Sequence, residues 1–322
     1  MTGPAERAAS GRGRPAWRRV DGIVLLDKPD GLTSNRALQR VRHALSAAKA
    51  GHAGTLDPMA TGMLPLCFGQ ATKTCGIILG ARKAYRARLR LGAATDTGDA
   101  QGAVVSRAEV PVLNAETVSR VFTDLEGASD QIPPMVSALK HEGERLYELA
   151  RRGESVPRAA RRIELYRLEL VALAGPDIEF EVECSKGTYV RVLAEDLAAR
   201  LGTVGHLAAL RRLWVAPFEF EPTVTLEEIS TWRDAGEAGQ GDPPWLRPVD
   251  LALAGLARVD LGAGDSDSVR HGRTVPADVG FLVGTTVCAY DVDGRLMGLL
   301  EVTQDGRLRV VRLLVDPSQG ST

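Results

Sequence analysis

Apolar positions recur along the chain with two different periods, and each change of period marks a new element. Gly22 to Leu26 is an unbroken apolar run closed by Asp27 and Lys28, and Lys28-Pro29-Asp30-Gly31 is a turn sequence, so a strand ending in a turn is expected. Thr33 or Ser34 then stands at an N-cap position, and Leu38, Val41 and Leu45 share one face of a helix running to about Ala47. From Lys83 to Leu91 charged and apolar residues alternate, the period of a half-buried strand. Asn114 to Leu125 returns to the helical period. Residues 162–174 and 177–185 are β-rich runs separated by Gly175-Pro176, which predicts a strand pair. A helix from about Tyr189 to Arg200 and a strand near Leu207 to Val215 complete the series.

Residues 1–19 are rich in Ala, Gly, Arg and Pro without period, the pattern of a disordered basic tail. Between Arg233 and Pro248 the glycines 236, 239 and 241 and the prolines 243, 244 and 248 crowd together, and a linker is expected. Beyond it, β-like runs at 281–283, 286–290, 296–302 and 308–315 are punctuated by the turn pairs Asp293-Gly294 and Asp305-Gly306. The pattern predicts an α+β protein: a mixed domain over residues 20–240, then a small β-barrel-like domain over 249–317.

Composition narrows the class. Hydrophobic residues make up 44% and charged residues 25% of 322, which excludes a mainly disordered chain and a fibre. No run approaches the roughly 18 apolar residues of a membrane-spanning helix, and Arg18-Arg19 has no apolar region behind it to make an export signal. Cys67, Cys75, Cys184 and Cys288 form neither a Cys-x-x-Cys pair nor a zinc pattern with the histidines, so free thiols in a reducing cytoplasm are expected. The net charge of −1 conceals an asymmetry: residues 1–100 carry 16 Lys/Arg against 7 Asp/Glu. A second basic cluster holds Arg151, Arg152, Arg158, Arg161 and Arg162. Local basic surfaces of this kind suit phosphate backbones. A GC-rich genome enriches arginine too, so composition leaves both readings open.

Catalytic signatures are mostly absent. There is no phosphate loop, no dinucleotide fingerprint, no Gly-x-Ser-x-Gly elbow and no His-Glu-x-x-His helix. Asp96-Thr97-Gly98 reads as a turn, because the aspartic-protease alternative needs two such loops. What is present is one dense constellation, Gly51-His52-Ala53-Gly54-Thr55-Leu56-Asp57-Pro58-Met59-Ala60-Thr61-Gly62-Met63-Leu64-Pro65. Its glycines and prolines force a shaped loop entering a strand near 63–68. Asp57 is the loop's only acid, and on the residues alone a turn-capping aspartate is its favoured reading. Tyr85, likewise, reads on its own as a core tyrosine on a strand.

Set against the rest of the chain, the loop resembles the catalytic motif of the TruB-type tRNA pseudouridine-55 synthases. Leu25-Leu26-Asp27-Lys28-Pro29-Asp30-Gly31-Leu32-Thr33-Ser34 is similar to that family's opening strand and turn. Gly69-Gln70-Ala71-Thr72-Lys73, Lys83-Ala84-Tyr85, Ile132-Pro133-Pro134 with Ser137-Ala138-Leu139-Lys140, Cys184-Ser185-Lys186-Gly187-Thr188-Tyr189-Val190-Arg191 and Leu210-Arg211-Arg212 follow in family order.

The resemblance implies a largely antiparallel sheet in the catalytic domain and a PUA-like RNA-binding domain after it. It implies conversion of uridine-55 in the T loop of tRNA to pseudouridine, without cofactor or metal, by a cytoplasmic monomer needing no guide RNA or obligate protein partner. Asp57 stands at the position of the nucleophile and Arg191 at that of its ion-pair partner, while Tyr85 stacks on the target base. His52 fills the vacated stack, Leu210 dries the site, and Tyr189 and Lys28 belong to the substrate-binding set, Lys28 by supporting the loops or approaching RNA. Residues 133–162 match a mobile insertion that closes over the T arm, where Arg151 and Arg152 meet phosphates. One departure is Met135-Val136, where the family often has tyrosine after the prolines; it puts one contact of the insertion in doubt. The alternatives are another structured RNA as substrate, or an RNA-folding protein with secondary catalysis.

Overall fold

In the computed structural model, which describes residues 17–137, 139–236, 241–277 and 280–315, the first apolar run becomes strand β1 (Gly22–Lys28). Helix α1 (Ser34–Ala44) is capped by Thr33, whose hydroxyl accepts from the Arg36 N–H, and it buries Ala37, Leu38 and Val41. The short β2 (Ala50–His52) and the longer β3 (Thr61–Phe68) flank the glycine-rich loop. Then come α2 (Cys75–Gly80), β4 (Lys83–Leu91), and a hairpin of β5 (Ala93–Thr95) with β6 (Val104–Arg107). Helix α3 (Ala115–Leu125), capped by Asn114, leads to β7 (Gly127–Gln131). The insertion holds β8 (Lys140–His141), β9 (Glu144–Arg145) and α4 (Leu146–Arg151). The expected strand pair is β10 (Arg161–Ala174) and β11 (Asp177–Cys184), turned at Gly175 with φ 58°. After it come α5 (Val190–Arg200), β12 (Gly205–Val215), α6 (Leu226–Asp234) and β13 (Leu246–Arg247).

Nine strands form one sheet in the order β13-β1-β3-β12-β4-β11-β10-β7, with β2 also paired to β3. Only β12 against β3 is parallel, so the sheet is mixed and largely antiparallel. One face packs under α1, α3, α5 and α6 through residues such as Leu26, Leu66, Phe68, Leu89, Phe180, Leu197 and Trp232. Each fully buried side chain of this size contributes roughly 2 kcal/mol. On the other face, Ile23, Leu25, Met63 and Cys67 meet Leu253, Tyr290, Leu299 and Leu314 of the C-terminal part. Strand β1 is therefore covered on both sides, which is why it reads as an unbroken apolar run. Along β4 and β11 the alternate residues are charged and pair across the strands: Arg90 with Asp177 at 2.6 Å and Arg86 with Glu179 at 2.6 Å. The alternation in the sequence is this half-covered geometry.

The C-terminal sheet comprises β14 (Ala257–Asp260), β15 (Val275–Pro276), β16 (Thr286–Tyr290), β17 (Leu296–Val302) and β18 (Arg307–Leu313), with α7 (Ala263–Arg270) packed on it. Its order is β14-β16-β17-β18-β15, and β14 does not pair with β15. Among the described residues the expected barrel is therefore an open half-barrel, and residues 281–283 form no strand in it.

Two further expectations change. Residues 17–19, inside the expected tail, are packed against the fold: Trp17 lies edge-on to His43 at 5.3 Å, and Arg18 Nε donates to the Leu45 carbonyl at 2.9 Å. Residues 1–16 of the expected tail, and 316–317 at the end of the expected second domain, lie outside the described residues. The stretch expected as a linker carries β13, which pairs with β1 through Ile23–Arg247 and Val24–Leu246. Trp245 packs on Trp232 at 5.5 Å, so the chain returns to the large sheet before it leaves.

Candidate active site

The loop between β2 and β3 buries Ala53, Leu56 and Ala60 in the core and is held as well by polar anchors on several sides. Ser34, buried at the start of α1, donates to the Leu56 carbonyl at 3.0 Å and accepts from the Leu56 N–H at 2.8 Å. The Gly31 N–H donates to the Pro58 carbonyl at 2.9 Å. Lys28 is 0% exposed, and its Nζ donates to the carbonyls of Pro29 (2.8 Å), Leu32 (2.7 Å) and Pro58 (3.1 Å). Lys28 thus supports the loop; its burial excludes the expected approach to RNA. Burial lowers its ammonium to about 8. Arg212, 1% exposed, donates from Nε to the Met63 carbonyl at 2.7 Å and from Nη2 to the Gly54 carbonyl at 3.0 Å. Gly62, at φ 97°, lies so close that a Cβ would stand 2.1 Å from the Arg212 carbonyl oxygen, so only glycine fits.

This frame presents Asp57 with its side chain 39% exposed, and Oδ2 lies 2.9 Å from Nε of Arg191, whose own side chain is 4% exposed. The other ends of the Arg191 guanidinium are occupied too: Nη1 donates to the Thr97 carbonyl at 2.8 Å and Nη2 to the Val136 carbonyl at 2.7 Å. Asp96-Thr97-Gly98 is a turn, as expected, and it has a use, since Thr97 supplies one of these acceptors. The unusual Val136 meets Arg191 through its backbone, a contact any residue there can make. Asp99 Oδ2 lies 3.9 Å from Arg191 Nε, while Asp99 Oδ1 accepts from Thr97 Oγ1 at 2.7 Å and from the Gln101 N–H at 3.0 Å.

Burial pushes the Asp57 carboxyl above its usual value, the charge of Asp99 adds to this, and Arg191 and Lys28 oppose it. Arg191 therefore limits the rise without reversing it. Tyr85, on β4, is buried in register with Arg212 of β12. Burial pushes its phenol up, and the charge of Arg212 works against that. His52 ends β2 half-buried, and its Nδ1 is buried with no hydrogen-bond partner among the described residues. Burial and the charge of Arg212 lower its imidazole, which favours the neutral ring at pH 7.

Leu210 is buried at the edge of a cleft of about 580 Å³, lined also by Met59, Thr61, Arg86, Arg88 and Arg211. Tyr189 stands at the N-cap of α5, with its backbone clamped by buried Gln131: its N–H donates to Oε1 at 2.8 Å and its carbonyl accepts from Nε2 at 3.2 Å. That clamp sets where α5 begins and hence where Arg191 points. Arg151 and Arg152 are exposed at the end of α4. Arg151 lies over Tyr147 at 5.6 Å, while Arg152 is taken up by Glu144 at 2.7 Å and Glu154 at 2.6 Å. The structure thus gathers Asp57, Arg191 and Lys28 around one loop and leaves the two insertion arginines on the surface.

Four residues anchor the site without having been given that role from the sequence: Ser34 and Arg212, which stood only as an N-cap candidate and a motif member, and Asp99 and Gln131. Arg212 alone had a local signal, since a period of two on β12 puts it on the face of buried Leu210 and opposite Arg211, which pairs with Asp27 at 2.7 Å.

Residues 42–190 match the family model for the N-terminal domain of TruB family pseudouridylate synthases, and residues 191–254 match the C-terminal domain of tRNA pseudouridylate synthase B. The pseudouridylate synthases are thus the class to which the chain and its fold belong. A tRNA pseudouridine synthase B from Chromohalobacter salexigens is 44% identical over 310 residues, 96% of this chain and 98% of that protein. Another from Aromatoleum aromaticum is 46% identical over 306 residues, 95% and 96% of the two chains. The chain belongs to the TruB family. In fold it is also similar to a chain in the crystal structure of a Cbf5-Nop10-Gar1 complex, with TM-score 0.72 at 24% identity over 97% of this chain and 92% of that one.

Proposed function

We propose that this protein isomerises uridine-55 in the T loop of tRNA to pseudouridine, with Asp57 as nucleophile. The observation that carries the reading is a half-exposed carboxylate gripped at 2.9 Å by a fully buried guanidinium. A binding protein has no use for a carboxylate presented to an anionic polymer, whereas glycosidic-bond cleavage needs one. The ionised Asp57 attacks C1′ of the ribose or C6 of the base, and the N1–C1′ bond breaks. The base turns, C5 joins C1′, the C5 proton leaves and the carboxylate is released, so no atom is imported and none oxidised.

Extrusion of the stacked uridine costs on the order of a few kcal/mol. The neutral ring of His52 fills the vacated stack, Tyr85 receives the base, and Leu210 walls the site against water. Residues 133–162 close over the T arm, with Arg151 rather than Arg152 free to meet phosphate. The half-barrel takes the place of a PUA-like domain and is tied to the catalytic domain through Lys73, whose Nζ donates to the Leu313 carbonyl at 2.7 Å. The enzyme acts as a cytoplasmic monomer without guide RNA.

Carbodiimide mapping of an unmodified tRNA transcript after incubation with the protein tests the reading. One adduct at the T-loop uridine is expected. Adducts elsewhere only, or in ribosomal RNA but not tRNA, contradict it.

A further inference from the structure

Strand β4 carries Arg86, Arg88 and Arg90 on its exposed face, and β11 sets Glu181, Glu179 and Asp177 opposite them in register. Residues directly opposite across an antiparallel pair are the natural ion-pair partners, so three pairs would be expected. Only the last follows the register: Arg90 donates from Nε to Asp177 Oδ1 at 2.8 Å and from Nη2 to Oδ2 at 2.6 Å. Arg86 stands 4.0 Å from Glu181 and reaches diagonally to Glu179 at 2.6 Å instead. Glu179, the acid opposite Arg88, is thereby occupied.

On its other side Arg88 faces Ala209 of β12, beside a bulge between Leu207 and Ala209. An alanine side chain offers no acceptor. Arg88 is exposed, lines the cleft described above, and its side chain has no ion-pair or hydrogen-bond partner among the described residues. The two other arginines of the cleft are committed, Arg86 to Glu179 and Arg211 to both carboxylate oxygens of Asp27 at 3.0 and 2.7 Å. Asp30, the cleft's second acid, accepts from the Gly31 N–H at 2.6 Å within its own turn. The cleft therefore holds one uncommitted guanidinium, and a planar fork of donors matches the oxygens of a phosphate. Met59 and Thr61, just beyond Asp57 in the chain, line the same cleft.

We propose that Arg88 binds a backbone phosphate of the RNA whose uridine is presented to Asp57, and that the diagonal Arg86–Glu179 pair is what leaves it free to do so. The inference takes from the isomerase reading that RNA enters this cleft, and adds which of its three arginines meets the backbone.

The salt dependence of tRNA binding tests it. Each phosphate neutralised adds about 0.7–0.9 to the slope of log affinity against log salt. Arg88→Gln is expected to lower that slope by about this amount and to weaken binding several-fold in low salt. Its melting temperature should match the parent's, since Arg88 makes no contact the fold relies on. Arg88→Lys keeps the charge and should keep the slope. The paired change Arg86→Gln with Glu179→Gln removes no net charge and should leave the slope in place. A parental slope in Arg88→Gln, or a slope lowered as much by the paired change, would overturn the inference.

A second measurement locates the phosphate. In synthetic T-arm hairpins carrying one uncharged methylphosphonate at a time, one position should weaken binding to the parent and leave Arg88→Gln indifferent, the signature of coupled partners. The absence of any such position overturns the contact. Binding is read here without turnover, so a parent that binds tRNA with the expected slopes but makes no pseudouridine refutes the isomerase reading alone.

Discussion

Arginine does opposite work in two regions of this molecule. Under the catalytic loop, Arg191 and Arg212 are buried and spend their donors largely on backbone carbonyls of Thr97, Val136, Gly54 and Met63. On the insertion, Arg152 is exposed between Glu144 and Glu154, and Arg151 lies over Tyr147. The buried pair converts charge into geometry, because each guanidinium presents several donors in a rigid fork. The exposed ones keep their charge for a partner or give it to a neighbouring glutamate. Surface ion pairs of that kind contribute about 0–1 kcal/mol, whereas removing one member of a buried pair costs about 3–5 kcal/mol. Counting arginines therefore says little about where RNA is held; what each donor already touches decides it.

The sharpest way to break this contrast is at Asp57. Asp57→Asn keeps the shape and removes the nucleophile, so isomerisation should fall by on the order of 10⁴-fold or more while tRNA binding persists. Next in size is Lys28, whose three carbonyl bonds make it structural: Lys28→Met should lower unfolding stability by about 2–4 kcal/mol, read by denaturant titration. An unchanged midpoint would return Lys28 to the RNA-facing set.

The ionisations sharpen the comparison further. The charge of Asp99 raises the Asp57 carboxyl, so Asp99→Asn should move the acid limb of the single-turnover rate to lower pH. A limb that stays in place separates Asp99 from the nucleophile. Burial also lowers Lys83 from 10.5 to about 8. Between those values the unfolded chain binds the extra proton, so the stability of the parent relative to Lys83→Met should rise with pH from about 8 toward 10.5. A flat difference across that window would place Lys83 in water. The smallest effect belongs to the insertion: Arg152→Ala should weaken tRNA binding less than Arg151→Ala, by about twofold against several-fold in low salt. The reverse order would show that the pairing with Glu144 and Glu154 opens in the complex.

Local periodicity was legible in the sequence for most elements, although α1 ends at Ala44, short of Ala47, and 281–283 form no strand. β4, β16 and β17 fall on the expected ranges; of the two cap candidates Thr33 caps α1, and Asn114, expected as the start of the second helix, is its N-cap. The site was half legible. The glycines and prolines around Asp57 announce a shaped loop, and family resemblance nominates Arg191, 134 positions further on by number. Nothing local brings Asp99 beside Arg191, since that proximity arises only when the turn after β5 meets the start of α5. Gln131 is hidden for the same reason: its clamp on Tyr189 spans 58 residues. The α7 helix went unread because its polar run, Ala263–Arg270, buries only Ser266 and Val269 and carries almost no apolar period. β13 was masked by the glycines and prolines before it, and its two residues are too few to show a pattern.

The central claim is that Asp57, held by Arg191, opens the glycosidic bond of one uridine in tRNA. Tritium release from a transcript labelled at uridine C5 measures it directly. About one equivalent per tRNA is expected from the parent protein, with none from Asp57→Asn and none from a transcript carrying cytidine at position 55. Undiminished release by Asp57→Asn, or no release by a parent that binds the tRNA tightly, would contradict the account.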